Sequence, residues 1–256
     1  MIKSEIQFVR SLGDKKVRQE LGLFVAEGEK FIEELVGSSL RVRKVYLTDD
    51  SSNDFDTSAF AGAAEVEYIS NKEMERITML KTANKALALV EMPHYALDSE
   101  VLSGSLTLVL DGVQNPGNLG TIIRLADWFG ITDIICSPTC ADCFNPKVVQ
   151  ATMGAILRVR VHYTELEPLL QRVDVPIYGA LLQGGENIYD ADLSLSEKGG
   201  GIIVMGSEGQ GISPAIEALV TNRIFIPPYP IGAPSSESLN VAIATSIICS
   251  EFRRRG

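Results

Sequence analysis

Three short stretches of this chain carry the residue types from which a polar site can be built. Residues 115–120, Asn-Pro-Gly-Asn-Leu-Gly, run into an apolar segment that bears Arg124. A guanidinium is charged at every working pH and is costly among apolar neighbours unless it meets a carboxylate or a phosphate. Residues 206–211, Gly-Ser-Glu-Gly-Gln-Gly, set three glycines around Glu208, and glycine lets a backbone approach a ligand closely. The third stretch holds Ser235, Ser236, Glu237, Ser238 and Asn240, ahead of the apolar residues 241–249. Such side chains cap helices by accepting hydrogen bonds from unpaired N–H groups, and the same N–H groups can hold a ligand. Each stretch also has a plain reading: a strand-to-helix turn, a glycine loop, a helix cap. The second lacks both the Lys-Ser/Thr pair of a P-loop and the G-x-G-x-x-G fingerprint, which weakens a nucleotide-binding Rossmann enzyme as an alternative.

The elements that position these stretches follow from hydrophobic pattern. Residues 106–110, 133–136, 177–181, 201–205 and 223–226 are short, largely apolar segments, two of them opening on Asp133 and Arg223, separated by helical patterns. That is the pattern of a parallel sheet with both faces covered, whose ligands bind beyond the strands' C-terminal ends. Upstream, strands are expected at 23–26, 42–47, 65–69 and 86–91, with helices between them. The fold class is α/β, with a small first domain over 1–96, a polar linker over 97–105 and a second α/β domain over 106–256.

The chain has 256 residues, 45% hydrophobic and 22% charged, enough to bury a proper core. It contains no apolar run of membrane-spanning length and no signal-peptide pattern at its start, so no membrane partner and a cytoplasmic location are expected. Cys136, Cys140, Cys143 and Cys249 fit neither a disulfide framework nor paired zinc spacing, and no metal is expected. A formal charge of −10 argues against nucleic acid, yet residues 1–44 hold nine Lys or Arg against seven acids. Those nine form either a phosphate-binding surface or merely solvated helix faces.

Taken together and in this order, NPGNLGTIIRLADWFG, VMGSEGQG, and IP followed by SESLNVAIA resemble the three motifs of the SpoU (TrmH-type) RNA 2′-O-ribose methyltransferases of the SPOUT superfamily. PKVVQATMGAILRV is similar to the helix those proteins carry between the first two motifs. KKVRQELGLFVAEGEKFIEEL resembles the opening of their small N-terminal substrate-binding domain, of L30e-like fold. The resemblance implies an S-adenosylmethionine-dependent enzyme that methylates a ribose 2′-hydroxyl of rRNA or tRNA, with no DNA substrate, and whose C-terminal domain is tied in a deep trefoil knot. It implies cofactor contacts, largely through backbone, at Ala180, Gly206, Ile226 and Leu239. It likewise implies a catalytic and substrate-positioning set of Asn118, Arg124, Glu208, Ser238 and Asn240, in which Arg124 activates the hydroxyl. Because a guanidinium is a poor base, the role expected here is instead that Arg124 anchors phosphate and Glu208 orients it. A homodimer with both subunits contributing to each active site is implied as well. The alternative within the same resemblance is a non-catalytic RNA-binding or assembly factor that retains the fold. Two departures stand out: the proline-rich approach PPYPIGAPSSE to the third motif, and Trp128 in RLADWFG, which lies either beside the site or in the dimer face or, as the favoured expectation, packs in the core.

Overall fold

A computed structural model describes residues 1–51, 60, 64–182, 184–230 and 238–255. The chain forms two compact units, one of Met1–His94 with Asp142–Arg158 and one of Tyr95–Ala141 with Val159–Gly256. This division departs from the boundaries read from sequence in two places. Residues 97–105 are largely not linker: Ser99–Gly104 is a helix of the second unit, capped by the Asp98 carboxylate accepting from Glu100 N at 2.9 Å. Residues 142–158 lie between two strands of the second unit, yet they pack in the first.

The first unit is a four-stranded sheet. Strands β1 (Leu23–Glu27), β2 (Val42–Thr48), β3 (Glu65–Ile69) and β4 (Ala86–Glu91) take the order β1-β4-β2-β3, antiparallel except for the β2/β3 pair. Side chains alternate between the faces of a strand, so Leu23 and Val25 face one side while Phe24 and Ala26 face the other. The first side packs on α1 (Lys3–Ser11) and α4 (Asn71–Ile77), where Ile6, Val9, Leu12, Met74 and Ile77 are buried with it. On the other side the Phe24 ring meets Phe144 at 4.8 Å between centroids. Phe144 lies just ahead of a helix at Pro146–Thr152, whose buried Val148 and Val149 point inward.

Two polar contacts secure that inserted segment. The Arg18 guanidinium, 1% exposed, donates to the carbonyls of Leu12 and Gly13 and to the Asp142 carboxylate. Arg158 donates to Glu34 at 2.8 Å. Between them Gly154 has φ 91°, a backbone conformation that favours glycine, and a Cβ there would also push the Glu34 carboxylate aside.

The second unit is a parallel sheet of seven strands. They are β5 (Leu106–Asp111), β6 (Asp133–Cys136), β7 (Arg160–Tyr163), β8 (Ile177–Ala180), β9 (Glu186–Asn187), β10 (Gly201–Gly206) and β11 (Asn222–Phe225), in the order β7-β6-β5-β10-β8-β11-β9. Every pairing between named strands is parallel, matching the largely apolar segments read from sequence. β9 has only two residues, too few to leave a periodic signal. Helix α6, Pro116–Trp128, follows β5, and helix α10, Val241–Arg255, closes the chain.

A buried carboxylate ties the far edge of this sheet. Asp133 accepts from Arg160 at 2.8 and 2.6 Å, lies 2.8 Å from His162 Nε2 and accepts from Thr132 at 2.8 Å. Burial pushes its pKa up, but the hydrogen bonds from Arg160, His162 and Thr132 outweigh that and hold it below the ordinary carboxylate value. A folded pKa below the unfolded one contributes stability that is present above the unfolded value and lost as pH falls through the folded one. Asp133→Asn is therefore expected to lower the urea midpoint at neutral pH and to flatten its decline below about pH 4. A variant whose midpoint falls with acid as steeply as the wild type would show that other carboxylates set the acid limit.

Among the described residues no helix is long and apolar enough to cross a membrane. The four cysteines are buried and form no disulfide.

Candidate functional site

The three polar stretches all leave C-terminal ends of strands in the parallel sheet: residues 115–120 follow β5, residues 207–211 follow β10, and Asn240 lies between β11 and the last helix. Each is shaped locally before it meets the others. Asn115 is the N-cap of α6, its Oδ1 accepting from Gly117 N at 2.8 Å and Asn118 N at 3.2 Å, with Pro116 at the first helical position. Capping therefore falls to Asn115 and leaves the Asn118 side chain available.

The second stretch closes on itself. Ser207 N donates to Gly211 O at 3.0 Å, Gly211 N returns a bond to Ser207 O at 2.9 Å, and Gln210 N donates to Ser207 Oγ at 3.1 Å. Glu208 and Gly209 form the tip of this turn. Gly206 is compulsory at its base, because an added Cβ would fall 2.1 Å from the backbone of Gly211.

Asn240 joins the three. Its Oδ1 caps the last helix, accepting from Ala242 N at 3.0 Å and Ile243 N at 3.3 Å. With the oxygen committed to backbone donors, the amide nitrogen faces the other way. It donates to Asn118 Oδ1 at 3.0 Å and to Glu208 Oε1 at 2.6 Å. One side chain thus both starts a helix and draws together residues 118, 208 and 240. At their other ends α6 and α10 are pinned again, where Arg253 donates to Phe129 O at 2.6 Å and Gly130 O at 3.1 Å. The two helices therefore run side by side in the same direction.

The remaining members of the expected catalytic set are placed differently. Arg124 lies on the solvent face of α6 in register with exposed Thr121 and Trp128, and it has no ion pair or hydrogen bond among the described residues. Arg124 is exposed to solvent and makes no hydrogen bond with Glu208, whose Oε1 accepts from Asn240. Ser238 is exposed and makes no capping hydrogen bond among the described residues. Ser235, Ser236 and Glu237 lie outside the described residues, as does the proline-rich approach from residue 231 to 237. Trp128 is 84% exposed, which overturns its expected place in the core: the helical period that buries Ile122, Ile123 and Ala126 turns residues 121, 124 and 128 outward.

Three of the four expected cofactor contacts are neighbours. β8 lies between β10 and β11, with Gly179 opposite Val204 and Ala180 opposite Ile224. Gly206 and Ile226 therefore sit two residues past these partners at the same edge of the sheet as Ala180. Main-chain groups beyond the last rungs of a ladder are free to bond a ligand, which fits a cofactor held through backbone. Leu239, 43% exposed, immediately precedes Asn240.

The basic residues near the N-terminus are less available than their number implies. Arg18 is buried, and Lys44 is held by Glu5, Glu65 and Glu67 at 2.6, 2.8 and 2.6 Å. The other seven are exposed.

Comparison with known proteins agrees with this arrangement. The profile of the SpoU rRNA Methylase family matches residues 105–250, and that of the MRM3-like substrate binding domain matches residues 3–88. The chain is 27% identical to 23S rRNA (guanosine(2553)-2′-O)-methyltransferase RlmP of Bacillus subtilis, over 95% of this chain and 94% of that protein. It superposes on a protein assigned to the TrmH family of RNA methyltransferases from Porphyromonas gingivalis with a TM-score of 0.87 and 40% identity, covering 100% and 99% of the two chains. An AdoMet-bound rRNA methyltransferase from Sinorhizobium meliloti gives a TM-score of 0.87 at 25% identity, covering 99% and 95%. With its three motif loops gathered at one sheet edge and most of the second unit matched by a single profile, this chain belongs to the SpoU rRNA methylase family.

Proposed function

We propose that this protein transfers the methyl group of S-adenosylmethionine to a ribose 2′-hydroxyl of ribosomal RNA in the cytoplasm. The observation that carries the reading is the Asn240 amide, which links Asn118 and Glu208 beside the strand ends that carry Ala180, Gly206 and Ile226. The bound cofactor supplies an electrophilic methyl group on a good leaving group. The protein's task is to align the acceptor oxygen and to ease loss of its proton. Backbone at Ala180, Gly206, Ile226 and Leu239 holds the cofactor within a trefoil-knotted chain, and Asn118, Glu208, Ser238 and Asn240 set the loops around it. Arg124, whose guanidinium has no lone pair to accept a proton with and is a poor base, anchors the phosphate beside the target ribose and stabilises charge developing on the oxygen.

RNA is the acceptor because only RNA offers the 2′-hydroxyl. Ribosomal RNA is favoured over transfer RNA by the RlmP likeness, which spans nearly the whole of both chains. Mass spectrometry of rRNA and tRNA digests from a deletion strain is expected to show one missing ribose methylation in rRNA. A full set of modifications in rRNA, or a loss confined to tRNA, would overturn that assignment.

The working unit in this reading is a homodimer. Exposed Trp128 on α6 and Ile243 on α10, 84% and 55% accessible, lie on two helices that pack together, and exposed Arg124 shares the outer face of α6. A second copy covering this face buries the indole and brings Arg124 to the partner's site. Trp128→Glu is expected to shift the protein toward monomer in light scattering and to lower methyl transfer at least tenfold. Arg124→Ala is expected to remain dimeric and to bind S-adenosylmethionine while losing transfer. A monomeric Trp128→Glu variant with full turnover would refute a shared site.

A further inference from the structure

The turn that presents Glu208 has an anchor outside the three motif loops. β5 and β10 pair in parallel up to Asp111 opposite Gly206, the last register pair of the two strands. Gly206 opens the second loop, and that loop ends at Ser213, whose N–H donates to Asp111 Oδ2 at 2.8 Å. Asp111 thus holds both ends: Gly206 through the main-chain register and Ser213 through its side chain. Between them the Ser207–Gly211 bridge closes the turn, and Ile212, 5% exposed, plugs it into the core below. Ser213 caps the short helix Pro214–Glu217 without a side-chain hydrogen bond of its own, so the contact with Asp111 is the side-chain bond that fixes the start of that helix.

We propose that Asp111 is a positioning residue for methyl transfer, acting through Ser213 to hold the 207–212 turn at the height where Glu208 meets Asn240. A carboxylate accepting from a backbone N–H makes a stronger bond than a neutral pair does. Without it the loop keeps its internal bridge but can pivot on Gly206. Glu208 then moves relative to Asn240, and Asn118 loses alignment through the shared amide. The cofactor contact at Gly206, held by the strand register itself, stays in place. The effect therefore falls on turnover and not on cofactor affinity.

This inference rests on the proposed reaction, and the test separates the two. Asp111→Ala and Asp111→Asn are compared in the full-length protein by methyl transfer, by calorimetry with S-adenosylmethionine and by hydrogen–deuterium exchange of residues 207–213. Asn retains an oxygen that can accept from Ser213 N. The alanine variant is expected to lose at least tenfold in kcat, to keep its cofactor Kd within threefold and to exchange faster over 207–213. The asparagine variant is expected to recover most of both the turnover and the protection. Alanine turnover equal to wild type, or an asparagine variant as slow as the alanine one, would overturn the positioning role. If the wild type neither binds S-adenosylmethionine nor methylates RNA, the proposed reaction itself falls. The exchange comparison still decides the anchor: equal protection in wild type and alanine variant would remove it.

Discussion

Asn240→Asp is expected to abolish most methyl transfer while leaving the fold nearly as stable as before. The substitution keeps the oxygen that caps the last helix, and Asp serves as an N-cap about as well as Asn. What it removes is the amide N–H pair that reaches Asn118 Oδ1 at 3.0 Å and Glu208 Oε1 at 2.6 Å. In its place stands a second carboxylate oxygen facing that of Glu208. Like charges at such a distance repel, and both side chains are exposed enough to swing apart into water. The cap survives and the convergence of the three loops does not. Loss of about 100-fold or more in kcat is expected, the range seen when an aligned active-site hydrogen bond is removed. Thermal unfolding should change by less than about 0.5 kcal/mol. Asn240→Ser, which caps without repelling, should fall between the two, and Asn240→Ala should add about 1 kcal/mol of instability from the lost cap. Near-normal turnover in Asn240→Asp would show that capping is the whole role of this residue.

The second large effect concerns stability. Asp142→Ala is expected to cost about 3 kcal/mol or more, because it leaves the Arg18 guanidinium buried without its counter-charge. Arg18 is 1% exposed and Asp142 13% exposed, so little water reaches the pair. Asp142→Asn, which keeps an oxygen acceptor, should cost less, and the double replacement Arg18→Met with Asp142→Leu should recover much of the loss. Denaturant unfolding of the full chain measures all three, and an alanine variant as stable as the wild type would refute the assignment. A related result is expected from truncation. A fragment of residues 1–96 lacks Asp142, Phe144, Val148 and Val149, so it strands Arg18 and uncovers the face of β1 that bears Phe24. It should be poorly folded, and RNA binding by the first unit is best measured in the full protein, by the salt dependence of affinity and its change on replacing exposed Arg41 and Arg43.

Much of this was legible in the sequence for definite physical reasons. The apolar runs at 106–110, 133–136 and 201–205 read as buried parallel strands because a strand covered on both faces needs no polar alternation. β1 to β4 were equally clear. A helix was expected between the strands at 65–69 and 86–91, and the structure starts it, over 71–77, with the reciprocal bonds of Ser70 and Glu73, a purely local device. Asn118, Glu208 and Asn240 could be singled out from residue type, loop context and family resemblance, and the structure brings these three together. Local pattern also misled. RLADWFG is apolar enough to suggest a buried Trp128, yet α6 buries only one side, and which side depends on its packing against α10 and the sheet.

What the sequence determined by itself was the list of elements, the α/β class and the loops at which chemistry could occur, because propensity, periodicity and capping act over a few residues. Only the tertiary structure decided which parts belong together. It assigned residues 142–158 to the first unit through Arg18–Asp142 and Phe24–Phe144, partners separated by about 120 positions. It likewise divided the polar residues between roles: Asn115 caps, Asn240 caps and bridges, Asp111 reaches Ser213 102 residues away, and Arg124 faces solvent. Contacts of that range depend on the order and register of strands, β5 beside β10 and β10 beside β8. No periodicity within a single segment encodes that order. The physical reason is that a strand's own pattern specifies that it is buried, while its neighbour is chosen by the packing of the whole sheet.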